Sequence, residues 1–130
     1  MDRTISYLKK LFHIFALLLI ILSLYPGNII GFLIYGNIRY EPQLTKDFLY
    51  ISSNHLYVYF LISVLGLFSY LRDRKFKLVV IYLFFLSIIL EVVHLVIAER
   101  AFQIADLTGN ILGVLIAYTI VVIYKLWRKQ

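Results

Sequence analysis

The chain is 130 residues long and 62% hydrophobic, with a mean hydropathy of +0.89 and a formal net charge of +6. Ordinary soluble domains hold roughly 45–50% apolar residues, and a chain this short has too little interior to hide the surplus. Composition therefore points away from a soluble domain and toward an integral membrane protein of one domain, residues 1–130. The absence of cysteine removes disulfides and thiolate metal sites.

The N-terminal MDRTISYLKK runs into apolar residues and resembles a signal peptide, but no small-residue cleavage site follows it. An uncleaved first membrane helix over residues 7–25 is expected, ended by Pro26-Gly27. Further spans are expected over residues 54–71, 78–98 and 106–126, allowing about 20 residues for each. The fold class is all-α, a membrane-embedded four-helix bundle with a long outward loop between helices 1 and 2.

The basic residues are dealt out to particular connections and do not form the single patch that nucleic acid would require. Arg3, Lys9 and Lys10 precede the first span; Arg72, Arg74, Lys75 and Lys77 fall between the second and third; Lys125, Arg128 and Lys129 follow the fourth. The opposite side holds only Arg39, Lys46 and Arg100. The positive-inside rule then predicts cytoplasmic termini at both ends. Many of the 11 Tyr and 10 Phe lie near predicted helix ends, where interfacial belts form.

The loop over residues 26–53 is long for a helical bundle. Its first part, NIIGFLIYG over residues 28–36, is too short to span and too apolar to float in water, which suggests an interfacial or re-entrant segment. A plain connector whose apolar residues touch lipid fits the same composition. Its second part, residues 37–46, is polar and carries Arg39, Glu41 and Pro42.

Most polar residues at membrane depth fall in residues 91–113, EVVHLVIAERAFQIADLTGNILG. Glu91 and His94 stand at i and i+3 and share a helix face. Asp106, Asn110, Gly113 and Ala117 draw a polar-to-small stripe along the next helix, and Arg100 sits in the turn between. His55, Tyr59, Gly66 and Tyr70 make a third stripe. Such faces point into the bundle, which predicts one outward-opening pocket built from His55, Tyr59, Glu91, His94, Arg100, Asp106 and Asn110. A charge deep in a span costs about 2.5–3.5 kcal/mol, whereas polar helix pairs return about 0.6 kcal/mol. Packing alone would be served better by Gly, Ala and Leu, so the network favours recognition or chemistry. Gly66, Gly109 and Gly113 are expected to serve helix packing, the G-x-x-x-G of Gly109 and Gly113 within the bundle rather than in a dimer. His13, three residues after Lys10, reads as a snorkelling or packed side chain.

The pattern E-x-x-H-x5-R-x5-D-x3-N-x2-G, from Glu91 through Arg100, Asp106 and Asn110 to Gly113, resembles the C-terminal signature of VanZ-like membrane proteins. The His55-Leu-Tyr-Val-Tyr59 helix with Gly66 beyond it is similar to that family's His-x3-Tyr helix. Two positions depart from the family: His94 replaces its usual Gln, and Ile51-Ser52 replace an Asp-Lys pair that often precedes the helix. The resemblance implies a multi-pass protein of the bacterial cytoplasmic (inner) membrane and the cell envelope. The founding member of that family is associated with low-level resistance to teicoplanin, a lipidated glycopeptide antibiotic; links of other members to polysaccharide are weaker.

Three functions fit these residues. The first is a binding or accessory module recognising a lipid-linked glycan, lipid headgroup or lipoglycopeptide, with Arg100 meeting an anionic group. Its partners are membrane lipids and such a glycan or glycopeptide, with no nucleic acid and no cofactor. The second is an outer-leaflet enzyme in which Glu91, His94, His55 and Asp106 hold a divalent metal or act as acid and base; a metal is not the favoured reading. Ser52 and Ser53 beside His55 lack the G-x-S-x-G elbow of a nucleophile. The third is a structural subunit of a larger envelope complex, in which the network fixes helix register. Transport suits four spans without an inverted repeat less well.

Overall fold

Long runs of Leu, Ile, Val and Phe without interior proline leave helix as the backbone state that satisfies its own hydrogen bonds in lipid. The computed structural model describes residues 3–128; Lys129, one of the ten basic residues assigned to the terminal side, and Gln130 lie outside the described residues. Five helices follow in order: α1 (Arg3–Leu24), α2 (Ile29–Tyr35), α3 (Ser53–Ser69), α4 (Phe76–Val93) and α5 (Ile104–Trp127). Among the described residues there is no strand, only an isolated bridge between Phe48 and Ile51. Helices α1, α4 and α5 are long and apolar enough to cross a membrane. The second predicted span, α3, is shorter at 17 residues, or about 25 Å of helix at 1.5 Å per residue.

One loop segment takes a form the sequence left open, and one span ends earlier than expected. Residues 28–36 hold a helix of their own: the Asn28 side chain accepts from the Gly31 N–H at the start of α2, and Gly36 closes its end in the left-handed conformation. The third predicted span was expected to reach residue 98, but α4 stops at Val93 with His94 as its C-cap. Beyond it the chain turns, Glu99 adopts a positive φ of 59°, and Arg100 folds back toward α1. The guanidinium of Arg100 donates to the Leu22 and Tyr25 carbonyls at 2.7 and 3.2 Å. These carbonyls lie in the last turn of α1 and one residue beyond it, where no helical partner remains.

The core centres on α3 against α5, the most extensive helix pair. A Cβ at Gly109 would stand 2.5 Å from the Ser52 carbonyl oxygen, and one at Gly113 would stand 2.6 Å from that of Leu56. Both glycines therefore serve a backbone-to-backbone approach within one chain. Val114, Ala117 and Val121 continue the seam with Tyr59, Ile62 and Leu67. Helix α1 joins mainly through Phe12, which lies against Gly66, and Ala16; Ile14, Leu17 and Ile21 stay exposed, a surface suited to lipid.

The end that carries both termini gathers the basic residues. Lys9 pairs with Asp73 and lies 4.5 Å above the Tyr70 ring, while Lys125 lies 4.3 Å above Phe76. His13 joins this end through Nε2, 2.8 Å from the Tyr70 hydroxyl.

Replacing Gly113 with Leu forces α5 away from α3, because the neighbours met first are backbone atoms. The expected loss is about 1–3 kcal/mol, read as a lower melting temperature of the detergent-solubilised protein by circular dichroism. A second outcome follows from Asp73, whose carboxyl is held below its ordinary value by Lys9 and the Lys75 amide. A depressed carboxyl contributes stability above its unfolded value and loses it as pH falls through the folded one. Asp73→Asn should melt lower than the parent at pH 7, with the gap closing as pH falls below the acidic carboxylate range.

Candidate ligand site at the loop end of the bundle

The opposite end of the bundle collects the polar stripes. The first turns of α3 and α5 and the last turn of α4 meet there, joined by a hydrogen bond from the Ser52 amide to the Ala105 carbonyl. This junction places His55 beside Asp106 and Asn110, and Glu91 beneath the start of α5. The Glu91 Oε1 accepts the Gln103 N–H at 3.0 Å, so the carboxylate caps α5 as it closes the site floor. Asp106 stands in the first turn of α5, where the helix dipole favours a negative charge.

The histidine tautomers follow from their partners. Asn110 donates through its amide nitrogen to the Ser87 carbonyl at 3.2 Å, which leaves its Oδ1 facing His55 Nδ1 at 2.8 Å. His55 Nδ1 therefore carries hydrogen and donates. Its Nε2 faces Glu41 Oε1 at 3.6 Å and Asp106 Oδ2 at 3.7 Å. His94 Nε2 lies 3.1 Å from the Ser23 carbonyl, which can only accept, so Nδ1 is the atom turned to Glu91 Oε2 at 3.3 Å. Tyr59 donates to the Leu86 carbonyl below this layer at 3.3 Å.

The loop over residues 37–52 builds one wall. Asp47 accepts the Ser53 N–H at 3.0 Å, Ser53 donates to the Thr45 carbonyl at 2.7 Å, and Asn54 donates to the Pro42 carbonyl at 2.8 Å. These bonds lay the loop across the head of α3 and bring Glu41 over His55. A protonated His55 ring holds the Glu41 carboxyl below its ordinary value, against the opposing effect of burial. Farther out, Arg39 and Glu99 form a two-bond pair at 2.7 and 3.2 Å that ties the loop to the α4–α5 turn. That partner raises the Arg39 guanidinium and lowers the Glu99 carboxyl. Burial draws the Arg100 guanidinium downward, opposed by Glu41, Glu91 and Asp106.

Two cavities adjoin at this layer. The larger, about 360 Å³, runs between apolar walls that include Leu19, Leu22, Ile29, Ile34, Val58 and Leu90. The smaller, about 200 Å³, is lined by polar groups including Arg39, Glu99, Gln103 and Asp106. Asn28, Glu41, His55, His94 and Arg100 line both. Each of the seven pocket residues read from the sequence lines one cavity or the other: His55, His94 and Arg100 both, Tyr59, Glu91 and Asn110 the larger, Asp106 the smaller. Gly66 packs deeper against Phe12, away from the cavities. Sequence reasoning left Glu41, Asn28 and Ser23 out of the site. Glu41 and Asn28 lie in the connection and Ser23 acts through its carbonyl, so none belongs to a helical stripe.

His55, Glu91 and Asp106 each offer a donor atom within 4.8 Å of the other two. His94 falls outside that set, so the four-residue metal alternative reduces to three. No curated protein and no solved structure matches the chain. The VanZ/LLP1 family profile matches residues 11–127, nearly the whole length, from within α1 to the end of α5. The chain is a member of the VanZ/LLP1 family of membrane proteins.

Proposed function

We propose that the loop end of the bundle binds an amphiphile at the outer leaflet of the bacterial cytoplasmic membrane. The observation that carries this reading is the pairing of an apolar compartment with a polar one across a shared rim of Glu41, His55, His94 and Arg100. Pockets of roughly 300–1,000 Å³ suit small-molecule ligands, with apolar walls supplying affinity and a few polar groups fixing orientation. An acyl or prenyl chain fits the compartment between α1, α2 and α3, and a sugar, phosphate or peptide headgroup suits the other. Lipid-linked glycans, phospholipids and lipoglycopeptides share this chemistry. The lipoglycopeptide reading also draws on the resemblance to the teicoplanin-resistance protein.

Arg100 has two roles to reconcile. Two of its N–H groups hold the end of α1, and five are available in all, so the remaining donors can serve a headgroup oxygen. Recognition through hydrogen bonds to Glu41, Asp106 and Asn110 suits hydroxyl-rich headgroups.

Orientation follows from the distribution of basic residues, with the loop end outside and both termini cytoplasmic. The cysteine-free chain makes this directly measurable. In intact cells Gln43→Cys should react with a membrane-impermeant maleimide, and Arg74→Cys should react only after permeabilisation. The reverse pattern overturns the orientation.

Val58→Trp places an indole in the apolar compartment without touching the polar network. Native mass spectrometry of purified protein with a phospholipid, a polyprenyl phosphate and teicoplanin should show retention of at least one of them. Val58→Trp should cut that retention at least about tenfold, equivalent to 1.4 kcal/mol, with an unchanged melting temperature. Equal retention by both proteins would remove the amphiphile proposal.

A further inference from the structure

Glu91 is 0% exposed, and its Oε2 has no hydrogen-bond partner. A buried oxygen of this kind is costly unless something positive or donating meets it. His94 Nδ1, at 3.3 Å from it, lacks the alignment of a hydrogen bond. The His94 hydrogen is already committed to the Ser23 carbonyl, so a neutral ring turns a lone pair toward the carboxylate.

The same pattern recurs at His55. Its Nδ1–H is committed to Asn110, which is itself fixed by Ser87, and Nε2 is left facing carboxylate oxygens at 3.6 and 3.7 Å. Those separations are too long for hydrogen bonds. A ring whose far N–H is held by a carbonyl oxygen and whose near nitrogen faces acidic oxygens has the arrangement of a metal-binding imidazole with its outer support in place. His55 Nε2 and Asp106 Oδ2, 3.7 Å apart, subtend about 120° at an ion about 2.1 Å from each, within the range of zinc coordination. With the whole set spread over up to 4.8 Å, the three ligands close in by side-chain adjustment when the ion binds.

We infer that His55, Glu91 and Asp106 form a binding site for a first-row divalent cation of the zinc or manganese class. One imidazole and two carboxylates suit these ions better than calcium or magnesium, which favour all-oxygen shells. Glu41 stands 3.6 Å from His55 Nε2 and is placed to close the shell from the loop. The formal charges agree: three carboxylates against Arg100 leave two negative charges uncompensated with neutral histidines, and a divalent ion cancels them. Its open side faces the shared rim, where it would meet a phosphate or carboxylate oxygen of the amphiphile. That last contact rests on the proposed function; binding of the ion does not.

Chelator-treated protein in detergent, without added lipid, is incubated with Zn2+, desalted and assayed for metal. Wild type should retain about one equivalent, and Zn2+ should protect His55 but not His13 from carbethoxylation mapped by mass spectrometry. His55→Gln and Asp106→Asn should weaken retention by at least about tenfold, the lower range seen when even supporting residues of metal sites are lost. Asp73→Asn, at the far end, should leave it unchanged. Val58→Trp should also retain the ion, so the amphiphile proposal and the metal proposal can fail separately. Absence of stoichiometric metal on wild type, or of protection at His55, overturns the site, and two imidazolium rings then balance the carboxylates. Unchanged retention in folded His55→Gln and Asp106→Asn overturns it equally. Should both variants unfold, the protection measured on wild type decides.

Discussion

The contact of α3 with α5 at Gly109 and Gly113 is the constraint on which the rest of the molecule depends. Helix α5 could not carry a Cβ at those points without meeting the backbone of α3 and its N-cap. In a bilayer, helix association draws on such close packing, because lipid is as apolar as the residues it would replace. The approach also sets the chemistry one turn away. His55 and Asn110 are 2.8 Å apart because Gly109 lets the α3 backbone sit where a larger residue would hold it off. Packing and site are thus a single arrangement, with small residues in the middle of the seam and polar ones at its end.

Around that seam the molecule is asymmetric along its length. The end carrying the termini is cationic, satisfied by Asp73 and by the faces of Tyr70 and Phe76. The loop end is acidic, with Glu41, Glu91 and Asp106 gathered round Arg100 and two histidines. Charges of both kinds are costly at membrane depth. The chain meets that cost by confining them to helix ends, where carbonyls, amides and caps are already unpaired. Arg100 on the end of α1 and Glu91 at the start of α5 are the clearest cases. Each serves a helix terminus and lines a cavity wall.

Much of this was legible in the sequence because helical spacing projects it. The four-residue interval from Asp106 to Asn110 and the three-residue interval from Glu91 to His94 each require one face, and apolar surroundings require that face to turn inward. Membership of the VanZ/LLP1 family was legible for the same reason, since the polar pattern spans three helices. The loop resisted such reading. Glu41 reaches His55 through bonds among Asp47, Ser53, Thr45, Asn54 and Pro42, none of which has a period. The early end of α4 was hidden too, because Leu95, Val96 and Ile97 continue the apolar run after the backbone has turned. What ends the helix is tertiary: Arg100 and Gln103 are drawn to α1 and Glu91. Hydropathy carries no signal for such a pull.

The attachment of α1 has a consequence of its own. Only Phe12 and Ala16 of its 22 residues are buried, and polar bonds hold it near both extremities, through Lys9 to Asp73 and through Arg100 to Leu22 and Tyr25. Segments with few buried contacts open at lower free energy than the body they rest on. Leu19 and Leu22 of this helix wall the larger cavity. A hydrocarbon tail arriving sideways from the bilayer would therefore meet its weakest barrier in α1, the wall with few buried contacts, and its strongest in the glycine seam of α3 and α5.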